Sequence, residues 1–97
     1  MEFLPIGSVV KLKDDDLLLM VDAILPLYEE DGVTGYYDYR AIEYPLGSNA
    51  EDDDLYCFNF EDIEKVVFKG YVSQQSDEVN QNAQEWVKET KYPKLSN

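Results

Sequence analysis

Hydrophobic and polar residues alternate with a period of two along several stretches of this chain, a period typical of β-strands. In residues 8–13, Val10 and Leu12 fall on one side and two lysines on the other. A continuous apolar run follows at 17–25, and its length and β-branched content favour a central strand over a helix. Acidic residues 14–16 separate the two stretches, so we expect the two predicted strands to form a hairpin with these residues as its turn.

A tyrosine-rich segment, residues 36–44, is predicted to form the third strand, and one of its faces is a candidate surface for a partner. That face comprises Tyr36, Asp38, Arg40, Ile42 and Tyr44. A tyrosine ring buries area while its hydroxyl needs a polar partner, so this face is either structural or displayed for binding. The preceding residues 25–35 contain Pro26, Gly32 and Gly35 and are interpreted as a connection.

The remaining alternating stretches predict two more strands, at residues 55–60 and 66–72. Asn59 or Asp62 is placed to cap a single helical turn between them. Five short strands favour a small, strongly bent antiparallel sheet or an SH3-like barrel, since closing a sheet removes its exposed edges.

The hydrophobic period changes after residue 72, where apolar residues fall on one helical stripe. The stripe is made of Val79, Ala83, Trp86 and Val87. A helix is therefore predicted at 73–90, with Ser76 as a weak cap signal and Pro93 beyond its end. We expect an α+β protein with a compact β domain at 1–72, a C-terminal helix packed on it at 73–92 and a flexible tail at 93–97. Trp86 either docks on the sheet or anchors a partner.

The net charge of the chain limits the classes of partner that it can bind. It contains 21 acidic and 8 basic residues and no histidine, for a formal net charge of −13. Such a chain repels nucleic acid and anionic membrane surfaces and favours a protein with a basic surface, although the charge can also serve solubility alone. Its 97 residues suffice for one modest core. With no signal peptide and no long apolar run, a cytoplasmic location is expected.

Residues that could carry chemistry are sparse. The single cysteine, Cys57, lies in a predicted strand and is interpreted as a small buried hydrophobe. The acidic runs at 14–16 and 51–54 lack the alternating ligands and central glycine of a calcium loop. With no histidine, serine elbow or phosphate-binding glycine loop, we expect no catalytic residue, no metal site, no cofactor and no enzymatic activity.

Four segments resemble a known family: LPIGSVVKLK, LLLMV, YDYRAIEYPLG and FNFEDIEKVVFKGYV, which together span roughly residues 4–72. Their order and spacing are similar to a small uncharacterised Firmicutes family, a domain of unknown function encoded beside type VII secretion systems and LXG-type toxins. Acidic residues 14–16 replace the family's basic or glycine-containing turn, which puts a shared role of that turn in doubt. The C-terminal helix lies outside the resemblance.

The resemblance implies a cytoplasmic companion of a secreted toxin. Two roles are open, a chaperone or adaptor that holds the toxin for export, which we favour, and an immunity protein that neutralises it. Both are non-enzymatic protein binders, and a homodimer stays open as well. From alternation and charge, the predicted partner-binding residues are Tyr36, Asp38, Arg40, Tyr44, Glu51, Asp52, Asp53, Asp54 and Trp86.

Overall fold

A five-stranded antiparallel sheet forms the body of the protein, seen in a computed structural model that describes residues 1–48 and 55–96. Its strands lie in the order β6-β5-β2-β1-β7, and β3 and β4 form a separate antiparallel hairpin. The elements are β1 (Val9–Leu12), β2 (Leu18–Ile24), β3 (Leu27–Glu30), β4 (Val33–Tyr36), β5 (Tyr39–Tyr44), β6 (Tyr56–Phe58), a 3-10 turn (Phe60–Asp62), β7 (Ile63–Phe68) and α1 (Gln74–Glu89).

The predicted α+β class, a small antiparallel sheet with a C-terminal helix, is confirmed. In the described part of the chain β6 and β7 are the two ends of the sheet and do not pair with each other, so the sheet is open. The predicted helical turn is present as well. Of the two candidate capping residues, Asp62 makes a bond at the start of the turn, because its carboxylate accepts from the Asn59 backbone N–H at 2.9 Å. The Asn59 side chain bonds to the backbone of Asp38 and Leu95 instead. Among the described residues, no helix has the length and apolar character needed to cross a membrane.

The β3–β4 hairpin corrects the prediction that residues 25–35 are only a connection. Asp31 and Gly32 form its two-residue turn, with φ angles of 53° and 80°. Positive φ at both positions gives a turn whose twist matches that of the flanking strands, and Asp-Gly is a preferred sequence for it. The hairpin also ends at Tyr36, so the predicted third strand is two strands, and side chains do not alternate continuously from 36 to 44.

The hydrophobic core lies between one face of the sheet and α1. Its fully buried members are Val10, Leu19, Val21, Tyr39, Ala41 and Phe58. Phe3 is buried with this cluster, where its ring meets the edge of Tyr39 at 5.9 Å and its backbone N–H donates to Asn80 of the helix at 2.8 Å. The N-terminal segment thus lies between sheet and helix and ties the two together.

The C-terminal helix begins with a reciprocal cap. The Ser73 hydroxyl accepts from the Ser76 backbone N–H at 3.0 Å, and the Ser76 hydroxyl accepts from the Ser73 N–H at 2.7 Å. Near the other end, Trp86 lies 5.3 Å from the ring of Tyr36, edge to face, and 6.4 Å from Tyr92. Of the two predicted roles for Trp86, the structure shows the first, because its ring packs on the body of the protein.

The tail beyond the helix is hydrogen-bonded to the body of the protein at residues 93–95, within the segment 93–97 that the sequence predicts to be flexible. Tyr36 donates its N–H to the Pro93 carbonyl at 3.0 Å and accepts from the Leu95 N–H at 2.8 Å. The Asn59 side chain donates to the Leu95 carbonyl at 2.6 Å. Because these bonds attach the tail along β4 in parallel orientation, residues 93–95 extend the hairpin by one short bridge.

Candidate protein-binding site

The face of the sheet opposite the helix is apolar and partly exposed. In β2, Leu19 and Val21 point into the core, so Leu18 and Met20 point to the other side. Across the sheet, residues of β5 and β7 continue this second face. Tyr44 is 48% exposed, Val67 47% and Phe68 59%. We call this surface the open face.

A shallow groove of about 420 Å³ runs over the middle of the open face. It is lined by Gly7, Val9, Leu18, Met20, Tyr44, Val67 and Phe68. The only polar group that these side chains offer is the hydroxyl of Tyr44. A groove of this kind suits an apolar side chain of a partner, because contact there removes hydrocarbon from water and requires no new hydrogen bond.

The free edge of β7 is less suited to binding than the face beside it. The pairing of β7 with β1 shifts register twice, between Val9 and Val10 and between Lys11 and Leu12. Such irregularities bend and twist an edge strand, and charged side chains such as Lys65 on the edge further oppose addition of another strand. A partner is therefore expected to contact the open face rather than to extend the sheet.

A polar cluster bounds the open face on the side of β6. Arg40 donates to both carboxylate oxygens of Asp22, at 2.9 and 3.1 Å, and this pairing raises the pKa of Arg40. Cys57 is the cross-strand neighbour of Arg40, and burial raises the pKa of its thiol. Because the thiol is the less reactive form, the raised pKa does not favour a nucleophilic role for Cys57.

A second ion pair lies on the side of β7. Lys11 contacts a carboxylate oxygen of Glu64, which raises the pKa of the lysine and lowers that of the glutamate. Exposed pairs of this kind contribute little to stability, because water screens them. The open face therefore has an apolar middle and, with an ion pair on each side, two polar sides. An apolar centre with a polar rim is the usual composition of a protein interface.

Two of the predicted partner-binding residues are buried instead of displayed, which corrects their placement. Tyr36 is 7% exposed and Asp38 3%. An Asp38 carboxylate oxygen accepts from the Phe60 backbone N–H at 2.9 Å and contacts the Lys94 ammonium at 3.2 Å. The physical reason is the break between β4 and β5, after which the two side chains no longer share the open face. The Tyr36 ring packs against Trp86 of the helix, whereas Asp38 faces the turn at 60–62 and the tail. Their role is structural.

The other predicted residues are divided between regions. Arg40 and Tyr44 do lie on the open face, whereas Trp86 lines a separate groove beside the helix. Residues 51–54, the predicted acidic loop, lie outside the described residues. The five predicted residues that the structure describes are thus not brought together at one site.

Sequence reasoning missed the main part of the open face, namely Leu18, Met20, Val67 and Phe68. A signal for it was present. The run at 17–25 is apolar at successive positions, and a strand with this pattern has two apolar faces. In the described part of the chain α1 covers one of these faces, which leaves the second one exposed.

The comparison with protein families adds one finding. A family model for a domain of unknown function, DUF4176, matches residues 3–79, most of the chain. The chain belongs to the DUF4176 family. The matched part of this DUF4176 protein contains every strand of the open face and ends within α1, so residues 80–97 lie beyond it. Neither a curated protein nor a solved structure matches the chain.

Proposed function

We propose that this DUF4176 protein is a non-enzymatic accessory protein that binds another protein through the open face. The observation that carries the proposal is the exposure of Tyr44, Val67 and Phe68 around an apolar groove, on a sheet whose other face is already covered. A sheet with two apolar faces is normally packed on both. The partner would supply the missing layer.

The chemistry of the open face fits a protein interface. Aromatic side chains such as Tyr44 and Phe68 provide large contact areas and are frequent among residues that dominate binding. Fully burying one large apolar side chain is worth about 1.5–3 kcal/mol, so several partly exposed ones can support a specific complex. The polar pairs at the two sides would then fix the orientation of the partner.

For the identity of the partner, we propose a type VII-secreted LXG-type toxin, held in the cytoplasm by this protein as a chaperone or adaptor for export. Support comes from the segments quoted from the sequence, which resemble a family encoded beside such toxins. The charge of −13 supports a protein partner over a nucleic acid, since it repels phosphates. An apolar docking face supports holding a partner rather than transforming it.

The test is co-expression with the LXG-type toxin encoded by a neighbouring gene, followed by co-purification. Val67→Asp and Phe68→Asp each place a carboxylate on the open face and should reduce recovery of the complex at least tenfold, because a buried unpaired charge is costly. Val33→Asp is the matched control, because Val33 is 50% exposed on the β3–β4 hairpin and does not line the groove.

Secretion and toxicity assays then distinguish the role. A chaperone or adaptor predicts that Phe68→Asp lowers toxin export while the activity of the purified toxin is the same with and without this protein. Circular dichroism checks that each variant is folded. The proposal is wrong if the two open-face variants bind the toxin as well as Val33→Asp does, and its chaperone part is wrong if the unmodified protein abolishes toxin activity.

A further inference from the structure

A second apolar groove lies on the other side of the molecule, between the β3–β4 hairpin and α1. Its volume is about 440 Å³. It is lined by Ile24, Leu25, Leu27, Val79, Asn82, Ala83 and Trp86. Leu27 and Val79 are each 51% exposed, although they stand on opposite walls of the groove. This hairpin–helix groove shares no residue with the groove on the open face.

The helical wall of the hairpin–helix groove has an acidic border. Val79, Ala83 and Trp86 line the groove at spacings of four and three residues, so they form one stripe of the helix. The adjoining stripe contains Glu78, Asn82 and Glu85 at the same spacings. Asn82 lines both this groove and a shallow depression on the outer side of the helix, which Glu85 also lines. The helical spacing therefore places Glu78 and Glu85 beside the groove on its solvent side, and we call this position its rim.

The hairpin wall has an acidic border as well. Leu27 pairs with Tyr36, whose ring contacts Trp86, so this face of the hairpin is directed toward the groove. Glu29 lies two residues after Leu27 and therefore on the same face, nearer the hairpin tip. Among the described residues, Glu29 and Glu78 form no ion pair, and Glu85 has only an exposed contact of 3.7 Å with Lys88.

We propose that the hairpin–helix groove binds a basic amphipathic helix of a second protein. Its apolar side would contact Leu27, Val79 and Trp86, and its flanking lysines or arginines would face the glutamates on the two walls. A helix fits better than an extended chain, because the lining side chains offer only the Asn82 amide and the Trp86 indole N–H as polar groups, and a helix satisfies its own backbone hydrogen bonds. Opposite charges at the rim would speed association and select against acidic partners.

This inference goes beyond the proposed function, because it assigns a second surface with a different preference. The sides of the open face carry the ion pairs Arg40–Asp22 and Lys11–Glu64, in which opposite charges are matched. The rim of the hairpin–helix groove carries the glutamates Glu29, Glu78 and Glu85. A protein with two such surfaces can hold two different partners at once. The helical wall also lies almost entirely beyond the family match, which ends at residue 79.

Trp86 makes the inference directly measurable, since it is the only tryptophan of the chain and lines the groove. The probe is a synthetic peptide of about 18 residues, five helical turns, with leucines along one stripe and lysines beside it, and with no aromatic residue. We expect it to shift Trp86 emission to shorter wavelength, with an apparent Kd that rises with salt. A peptide with glutamates in place of the lysines should produce no shift, and neither should a lysine peptide whose leucines are scattered around the helix.

Matched variants separate the groove from general charge attraction. Glu78→Lys combined with Glu85→Lys should weaken binding of the lysine peptide roughly tenfold, because both changes put repulsion at the rim. Asp14→Lys combined with Asp16→Lys makes the same change in net charge on an exposed turn outside the groove. Because salt screens charges at a distance, this control should weaken binding by no more than about twofold at the same ionic strength. Phe68→Asp on the open face should leave the response unchanged.

Three results would overturn the inference: no emission shift with the lysine peptide, an equal shift with all three peptides, or equal weakening by the two double variants. The last would mean that net charge alone attracts the peptide. None of these results bears on toxin binding at the open face, which is measured with a different partner and different variants.

Discussion

The two faces of the five-stranded sheet are built from the same strands and are both apolar, yet residues 1–48 and 55–96 cover only one of them. On the helix side, Leu19 and Phe58 are at most 1% exposed. On the open face, Phe68 is 59% exposed and Tyr44 48%. The difference teaches that the core of this small protein is complete with one face and one helix. Stability therefore does not explain the apolar residues of the open face, whereas the proposed binding of a partner would.

The largest expected effect contrasts two phenylalanines in the two end strands of the sheet. Phe58→Ala should lower the free energy of unfolding by about 3–5 kcal/mol, because it removes a fully buried ring and leaves a cavity. Phe68→Ala removes the same atoms from an exposed position and should change the free energy of unfolding by about 0.5 kcal/mol or less. Urea denaturation followed by far-ultraviolet circular dichroism measures both.

A large loss for Phe68→Ala would break the comparison, since the open face would then be buried in solution by a second copy of the chain. Denaturation at two protein concentrations distinguishes this case, because the stability of a dimer depends on concentration whereas that of a monomer does not. We expect the midpoint to be independent of concentration.

A smaller effect is expected at Asp38, which sequence reasoning assigned to the displayed face and which the structure buries. Asp38→Ala removes the acceptor of the Phe60 N–H and the partner of Lys94, so it should cost about 1–3 kcal/mol in unfolding free energy. Arg40→Ala, on the open face, breaks only a partly exposed ion pair with Asp22 and should cost about 0–1 kcal/mol. Thermal unfolding of the two variants would sharpen the contrast between a structural and a displayed polar residue, and an equal cost would refute it.

Most strands were predictable because their signal is local. Residues 8–13 and 17–25 have the period and length of strands, and β1 and β2 lie within them. The hairpin at 27–36 is not predicted, because Pro26, Gly32 and Gly35 favour a connection even though Asp31-Gly32 is a preferred hairpin turn. Whether the sheet closes into a barrel depends on strand order, which no local pattern specifies.

The candidate site was harder to predict because it depends on which face the helix covers. Alternation placed Arg40 and Tyr44 together correctly, and both lie on the open face. It wrongly continued the same face to Tyr36 and Asp38, because the backbone break between β4 and β5 is not visible as a change of period. The docking of the tail on Asn59 and Asp38 is a contact between distant residues, so composition gave no sign of it.

The smallest expected effect is a pH dependence at Cys57, which lies on the open face beside Arg40. Burial raises the pKa of this thiol, an effect that Arg40 opposes and Asp22 reinforces. A raised pKa means that more of the group is the unreactive thiol at neutral pH, so alkylation by iodoacetamide should be slower than for an exposed cysteine and should accelerate at higher pH.

Gln81→Cys in a Cys57→Ser background supplies the exposed reference. Arg40→Ala should move the Cys57 profile to still higher pH, because it removes the cation that favours the thiolate. A Cys57 profile that coincides with the reference would show that this side of the open face is as exposed to water as the helix surface.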